Sequence, residues 1–213
     1  MISGIAFSEL NSHVKKKRSI PFVIYFGEMN LQPAEIKKRI AIAEELEDRF
    51  VAVMSLLFAM QQYDLIDWEY ARINIQDSYL SVLEKHIGID DSVKTYVQSF
   101  AYDIIKATQN HPDEPYYYSP DRATFIAENE TNTVMNYKTY GEAVKDRKTL
   151  KKWVAIEDEV TRHSHRAVDG TIKKISEPFY VGDSLMMFPK DAFTFGASAE
   201  EIVNCRCSIK YFW

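Results

Sequence analysis

The sequence predicts an α+β protein, in which a helical N-terminal region precedes a small module of one helix and an antiparallel sheet. Three observations support this division. Apolar residues recur at helical spacing between 33 and 108. Apolar and polar residues alternate between Ser208 and Trp213, as in a half-buried strand. Between these regions, 110–120 holds three prolines and three consecutive tyrosines, which is typical of a boundary. We therefore predict an N-terminal arm, a helical region, a linker and a C-terminal module at 1–27, 28–110, 111–119 and 120–213.

Helix signals are clearest in the first half of the chain. Pro33 suits the first turn of a long helix that continues to Gln61, because proline lacks the N–H that this turn leaves unpaired. Asp90 or Asp91 is a suitable N-cap for a later helix, and Ser119 precedes Pro120 in the same manner. The predicted helices cover 33–61, 66–87, 91–108 and 120–141.

The region after about 148 has the shorter pattern of strands and turns. The predicted strands cover 153–156, 171–176, 185–188 and 208–213. Ser198 and Glu201 have the spacing of a capping box, in which the N-cap hydroxyl and the third-position carboxylate satisfy each other's backbone N–H groups. We therefore expect a short capped helix at this point.

Charge and hydropathy exclude several classes of protein. Lys and Arg total 26 against 31 Asp and Glu, a net charge of −5, which argues against a nucleic-acid coat protein but leaves a local DNA contact open. The basic run 15–18 is typical of a solvated segment, and without a small-residue cleavage site after it we expect no signal peptide. No apolar run approaches the roughly 20 residues that span a bilayer, so we expect no membrane partner.

Cys205 and Cys207 are the only cysteines, and they are too close in sequence to close a stabilising loop. A reducing compartment is therefore the simpler assumption. Two thiolates with a histidine and a carboxylate form a plausible tetrahedral zinc set. The predicted ligands are Cys205, Cys207 and His165, with Asp169 as the weakest. The alternative is that both cysteines are small buried core residues.

A second hypothesis concerns His163 and His165. Histidine titrates near neutrality, and Arg162 could stabilise a phosphate transition state, so these residues would suit a small metal-independent nuclease. The pair shares a face if the segment is a strand and diverges if it is a helix. The chain has none of the motifs that mark phosphate-binding loops, serine hydrolases or zinc proteases.

A set of ordered motifs covers about 120–210. The residues that carry it are Trp153, Asp158, Arg162, His165, Asp169–Gly170, Glu177–Phe179, Phe188–Pro189, Gly196–Glu201 and Asn204–Cys207. This pattern resembles the phage Mu F-like head morphogenesis family, the minor head proteins of tailed phages and prophages. Phe188 stands where that family has tyrosine. Glu128 stands where it often has arginine, a charge reversal that argues against a catalytic role for 126–131.

The resemblance implies virion assembly rather than catalytic turnover. Proteins of the family are low-copy components inside the head, at its portal end, and act in head assembly, DNA packaging or genome delivery. The implied partners are the portal protein or the inner capsid, with contact to packaged DNA left open. The implied location is the head interior, after assembly in the host cytoplasm. The segments 51–60 and 116–118 are candidate partner surfaces, provided that they are exposed.

Overall fold

The computed structural model of the protein describes residues 21–213, so the basic run 15–18 and most of the predicted arm lie outside the described residues. The helices are α1 (Phe22–Gly27), α2 (Pro33–Gln61), α3 (Trp68–His86), α4 (Asp91–Gln109), the 3-10 helix η1 (Pro115–Tyr118), α5 (Pro120–Lys145), α6 (His163–Val168) and α7 (Ala199–Ile202). The strands are β1 (Leu150–Val154), β2 (Ile172–Lys174), β3 (Phe179–Val181), β4 (Ser184–Met186) and β5 (Ser208–Phe212).

The predicted α+β class is confirmed, and the long helices match their sequence signals closely. Helix α2 has the predicted bounds. The N-cap of α4 is Asp90, whose carboxylate accepts a hydrogen bond of 2.9 Å from the Val93 N–H. Helix α3 is capped in the same way by Asp67. None of the helices in the described part of the chain combines the length and apolar content that crossing a bilayer requires.

The described residues form two compact units. One contains Glu44–Ala127, and the other contains Phe22–Ala43 and Glu128–Trp213. The division therefore passes through helices α2 and α5 rather than through the proline-rich segment 111–119. Residues 22–27, which we assigned to the arm, form α1, and Phe22, Tyr25 and Phe26 of this helix are buried.

The unit containing Glu44–Ala127 is helical, and aromatic rings fill its core. The ring of Tyr79 lies 5.3 Å from that of Phe100 and 5.9 Å from that of Phe50, in edge-to-face arrangements. The tyrosine run of 116–118 packs mainly within this unit. Tyr118 is buried, while the ring of Tyr117 stacks on His111 at 4.0 Å.

The other unit contains the sheets. β1 is central in a three-stranded antiparallel sheet, flanked by β2 and β5, and β3 and β4 form a separate antiparallel hairpin. The predicted alternation holds from Ile209 to Phe212, where Ile209 and Tyr211 are partly buried and Lys210 and Phe212 are exposed. It fails at both ends, because Ser208 is buried and Trp213 is exposed. A hydrophobic cluster that includes Trp153 and Phe179 packs around both cysteines.

Lys151 of β1 is a fully buried lysine in the same unit. Its Nζ donates a hydrogen bond of 2.8 Å to the Met187 carbonyl and lies 5.2 Å from the ring centres of Tyr140 and Phe179. Burial lowers the pKa of Lys151 to about 8, although the nearby Asp191 carboxylate opposes this effect. The charged form of this lysine therefore destabilises the fold near neutral pH.

This arrangement predicts a pH-dependent effect of Lys151→Met. An unfolded lysine titrates near 10.5, so between about pH 8 and 10.5 the unfolded chain holds a proton that the folded chain has lost. The cost of burying Lys151 therefore decreases as the pH rises. Between pH 7.5 and 10, the free energy of unfolding of the wild type should rise by on the order of 1–3 kcal/mol relative to that of Lys151→Met. Urea unfolding under reducing conditions measures this difference. The exposed Lys174→Met is the control, and an equal trend in both variants would contradict the prediction.

Candidate metal centre

Three buried side chains meet in the unit that contains the sheets. His165 comes from α6, and Cys205 and Cys207 come from the segment that leads from α7 into β5. The candidate ligand atoms of these residues all lie within 4.8 Å of one another. Each residue is at most 3% exposed. The cluster therefore offers two sulfur atoms and one imidazole nitrogen at a single buried point.

The backbone before β5 positions both thiols. Asn204 has a φ of 58°, a left-handed conformation that asparagine tolerates well. Asn204 ends the turn that follows α7. The Cys205 N–H then donates a hydrogen bond of 3.2 Å to the Ile202 carbonyl. Cys205 and Cys207 follow this turn directly before β5, and their Sγ atoms lie within 4.8 Å of each other.

Asn129 of α5 anchors this turn. Its Oδ1 accepts hydrogen bonds from the Asn204 backbone N–H at 2.7 Å and from the Lys190 Nζ at 2.8 Å. The Lys190 Nζ also donates a hydrogen bond of 3.0 Å to the Ile202 carbonyl. Sequence reasoning missed both residues, because neither lies in a motif with a chemical signature of its own.

The His165 ring has partners on both nitrogens. Nδ1 lies 3.3 Å from the Cys207 Sγ, and Nε2 lies 2.9 Å from the Glu201 Oε2. Burial lowers the pKa of His165, but a hydrogen bond with Cys205 and the charges of Cys205 and Glu201 raise it, and the net shift is upward. The ring is thus fixed between a carboxylate and the two thiols.

The two cysteines share their ionisation unequally. Burial raises the pKa of Cys205, but hydrogen bonds with Cys207 and His165 reverse this effect and the net shift is downward. The hydrogen bond with Cys205, together with burial, raises the pKa of Cys207. The thiolate is the form that binds metals. The pair of thiols therefore loses its first proton more readily than an ordinary thiol and its second less readily.

Glu201 shows where sequence reasoning misassigned a residue. The predicted capping box is wrong: Ser198 is the N-cap of α7, but its hydroxyl makes no capping hydrogen bond. Glu201 instead points to α6, where its Oε2 accepts one hydrogen bond from the Ser164 hydroxyl and lies 2.9 Å from the His165 Nε2. The Glu201 carboxylate therefore binds the buried His165 ring instead of a backbone N–H at the start of its own helix.

The other predicted site residues are not members of this three-residue group. Asp169 Oδ1 accepts a 2.7 Å hydrogen bond from the Ala155 N–H and is not part of the three-residue group. His163 is exposed whereas His165 is buried, because the segment is helical and residues two apart on a helix diverge. Arg162 donates to the Val203 carbonyl. The structure therefore does not bring His163, His165 and Arg162 together as a catalytic pair with a guanidinium.

Gly182 provides the space for Glu201. Its φ is +56°, and a β-carbon at this position would lie 2.3 Å from the Glu201 Oε1. Gly182→Ala should therefore displace the carboxylate and weaken its contact with His165, at a cost of about 1–3 kcal/mol in the free energy of unfolding. Thermal unfolding measures the cost, and NMR of the His165 ring reports the displaced carboxylate.

Two glycines give matched controls for Gly182→Ala. A β-carbon at Gly88 meets no atom within 4 Å, although its φ is +68°, so Gly88→Ala measures the backbone cost alone. Gly141 lies within α5 with open space around it, and Gly141→Ala should stabilise by about 0.5–1 kcal/mol. An unchanged His165 ring signal in Gly182→Ala would contradict the assigned role of Gly182.

The donor set of the cluster suits a transition metal. Two thiolates and an imidazole are ligands that Zn²⁺ takes up in proteins, and a carboxylate on the far nitrogen of the histidine is the usual arrangement around such ligands. His165, Cys205 and Cys207 are therefore a group that could hold a metal ion.

Comparison with known proteins identifies the family. The sequence profile of the Phage Mu protein F like proteins matches residues 1–210, which is nearly the whole chain and extends well beyond the 120–210 that carries the motif resemblance. No curated protein and no solved structure matches the chain. The profile match covers both the helical region and the module with the candidate metal centre. The chain therefore belongs to the Phage Mu protein F like family, the phage head morphogenesis proteins that its motifs resemble.

Proposed function

We propose that the protein is a minor head protein of a tailed phage or prophage, present in few copies at the portal end of the head interior. In this role it docks to the portal protein or to the inner capsid wall, and it acts in head assembly, DNA packaging or genome delivery. The observation that carries the proposal is the family match over residues 1–210. The chain would reach this location from the host cytoplasm, where the head assembles.

Exposed apolar side chains in the helical unit support a docking role. Leu56 and Tyr70 are 48% and 55% exposed, and both border a groove between α2 and α3 of about 240 Å³. Tyr63 and Leu65, in the turn that joins these helices, are each more than 60% exposed. Exposed large apolar side chains beside a groove are typical of protein–protein contacts. Only part of the predicted surface 51–60 is available, because Met54 and Leu57 are buried.

Mass spectrometry of purified virions and procapsids tests the proposal. We expect the protein in heads at low copy number, absent from purified tails and lost from particles that lack the portal. Absence from both virions and procapsids would contradict a head role. Presence in portal-deficient particles at an unchanged level would instead place the docking site on the inner capsid.

A pair of variants tests the docking surface. Leu56→Asp combined with Tyr70→Asp should abolish incorporation into heads, because two carboxylates cannot be buried in an apolar contact without a large desolvation cost. Tyr180→Asp is the matched control, since Tyr180 is 69% exposed but lies on β3, outside the groove. Normal incorporation of the double variant would show that the groove is not the contact surface.

We also propose that the metal of the His165, Cys205 and Cys207 group is Zn²⁺. Its two sulfur donors favour zinc over magnesium or calcium, which prefer oxygen. We expect about one zinc per chain by elemental analysis. Because binding energy contributes to folding energy, chelation should lower the melting temperature and Cys205→Ser should reproduce that loss. Metal-free protein with unchanged stability would contradict the zinc proposal and would not affect the head role.

A further inference from the structure

A small cavity borders the three candidate ligands. Its volume is about 30 Å³, and His165, Cys205 and Cys207 form part of its wall. The remaining wall combines the apolar Ile156 and Val160 with the polar Thr161, Arg162, Asn204 and Arg206. This volume matches that of one water molecule, and a mixed wall with several polar groups is the kind that water occupies.

Two carboxylates that the sequence or the structure associates with this cluster bind other groups. The Glu201 Oε2 lies 2.9 Å from the His165 Nε2 and accepts a hydrogen bond of 2.8 Å from the Ser164 hydroxyl. Asp169 Oδ1 accepts from the Ala155 N–H. Among the residues that the structure describes, the candidate metal group here consists of His165, Cys205 and Cys207 alone. The described part of the chain thus supplies three donors at this point.

A second observation concerns Trp153. Its indole N–H is buried, and the Cys207 sulfur is its acceptor. Its ring contacts His165 edge-on at 5.9 Å between centres, in the hydrophobic cluster that includes both cysteines. Tryptophan N–H groups usually have a partner when buried. A buried N–H donor at the Cys207 sulfur favours the thiolate, which is the form that binds a metal.

We infer that the metal centre is a three-residue site whose fourth position faces the cavity and is taken by a water molecule or hydroxide. Glu201 is a positioning residue that holds the His165 ring with Nδ1 toward the metal. The inference rests on the zinc proposal above. A zinc site with three protein ligands and an exchangeable oxygen donor differs from structural sites, which are closed by four protein ligands.

Two arginines contribute to the wall of the cavity, and both are held by other groups. They are Arg162 and Arg206. Arg206 is held in place by ion pairs with Glu28 and Asp158, and Arg162 by the Val203 carbonyl. The space beside the cluster is about the size of one water molecule. We therefore expect the exchangeable ligand to be a water-sized species.

Cobalt substitution tests the inference on the full chain. High-spin Co²⁺ reports its ligands through the visible spectrum, and EPR lines broaden in H₂¹⁷O when a water oxygen is bound. We expect a four-coordinate spectrum with sulfur-to-cobalt charge transfer, and broader EPR lines in H₂¹⁷O than in ordinary water. X-ray absorption of the zinc form should give two sulfur atoms at about 2.3 Å and two lighter atoms at about 2.0–2.1 Å.

The possible outcomes separate the two proposals. No binding of Co²⁺ or Zn²⁺ at the three residues would overturn the zinc proposal together with this inference. Stoichiometric binding with unchanged EPR lines in H₂¹⁷O would leave zinc standing and overturn the open fourth position. If Glu201 were the fourth ligand, wild type would show no broadening and Glu201→Gln would gain it.

The role of Glu201 has its own signature. Glu201→Gln should weaken metal affinity about 10–100-fold, because the partner of the histidine is weakened, while the visible bands and the ¹⁷O broadening persist. Glu200→Gln is the matched control, since Glu200 is the exposed neighbour on the same helix. Equal affinities of Glu201→Gln and Glu200→Gln would overturn the positioning role.

Discussion

Arg39→Ala is expected to reduce the free energy of unfolding by about 3–5 kcal/mol. The Arg39 side chain is completely buried. Its guanidinium donates to the side-chain oxygens of Asn132 at 2.6 Å, Asn136 at 2.8 Å and Glu35 at 2.7 Å. Alanine would leave these acceptors without their donor, two of them fully desolvated, and would open a large cavity.

Two variants distinguish this network from a generic loss of charge. Arg49→Ala removes an arginine from the same helix, but Arg49 is half exposed and its nitrogen lies 3.9 Å from the Glu45 carboxylate, so we expect a change of at most about 0.5 kcal/mol. Arg39→Lys keeps the charge but cannot reach three acceptors in one plane, so we expect an intermediate loss. Urea unfolding measures all three, and a loss below about 1 kcal/mol for Arg39→Ala would contradict the role of this network.

Trp153→Ala is expected to have the second large effect, a reduction of about 3–5 kcal/mol in the free energy of unfolding. Trp153 is fully buried, and its ring packs edge-on against Phe179 at 5.2 Å and against His165 at 5.9 Å. Alanine would leave a cavity beside the two cysteines. We therefore expect weaker metal binding in addition to lower stability, because the His165 ring would no longer be held on this side.

Trp213 offers the matched control for Trp153. It is 73% exposed, and its ring contacts only the Lys148 ammonium at 3.6 Å among the ring contacts of the described residues. Trp213→Ala should reduce the free energy of unfolding by less than about 1 kcal/mol. Trp153→Phe keeps most of the packing and should restore a large part of the stability. Equal losses for Trp153→Ala and Trp213→Ala in thermal unfolding would show that Trp153 is not the core of this unit.

The long helices could be predicted because their signals are local. Helix α2 begins at Pro33 and ends at Gln61 as the apolar spacing indicated, and Asp90 caps α4 with its own carboxylate. A cap needs only a side chain within three residues, and amphipathic spacing needs only one face of a helix. The short elements were less predictable. Residues 163–168 form a helix, and strand β3 at Phe179–Val181 was missed, because three to six residues carry little periodicity.

Some residues of the candidate metal centre could be identified from the sequence, and others could not. Cys205, Cys207 and His165 could be named from their chemistry, since few residue types bind zinc. Asp169 was added on the same basis, but it serves the Ala155 backbone instead. Glu201 and Asn129 could not be found, because their partners are 36 and 75 residues away in sequence. Nothing in the local pattern indicates such a partner.

The sequence by itself determined the fold class, the positions of the long helices, the family motifs and the residue types that could bind a metal. These properties depend on local spacing and on side-chain chemistry. Only the tertiary structure decided which donors converge, that Glu201 holds His165 rather than capping α7, and that a water-sized cavity borders the cluster. The physical reason is that buried polar groups take whichever partner the packing brings within hydrogen-bond distance, and packing joins residues that are distant in the chain.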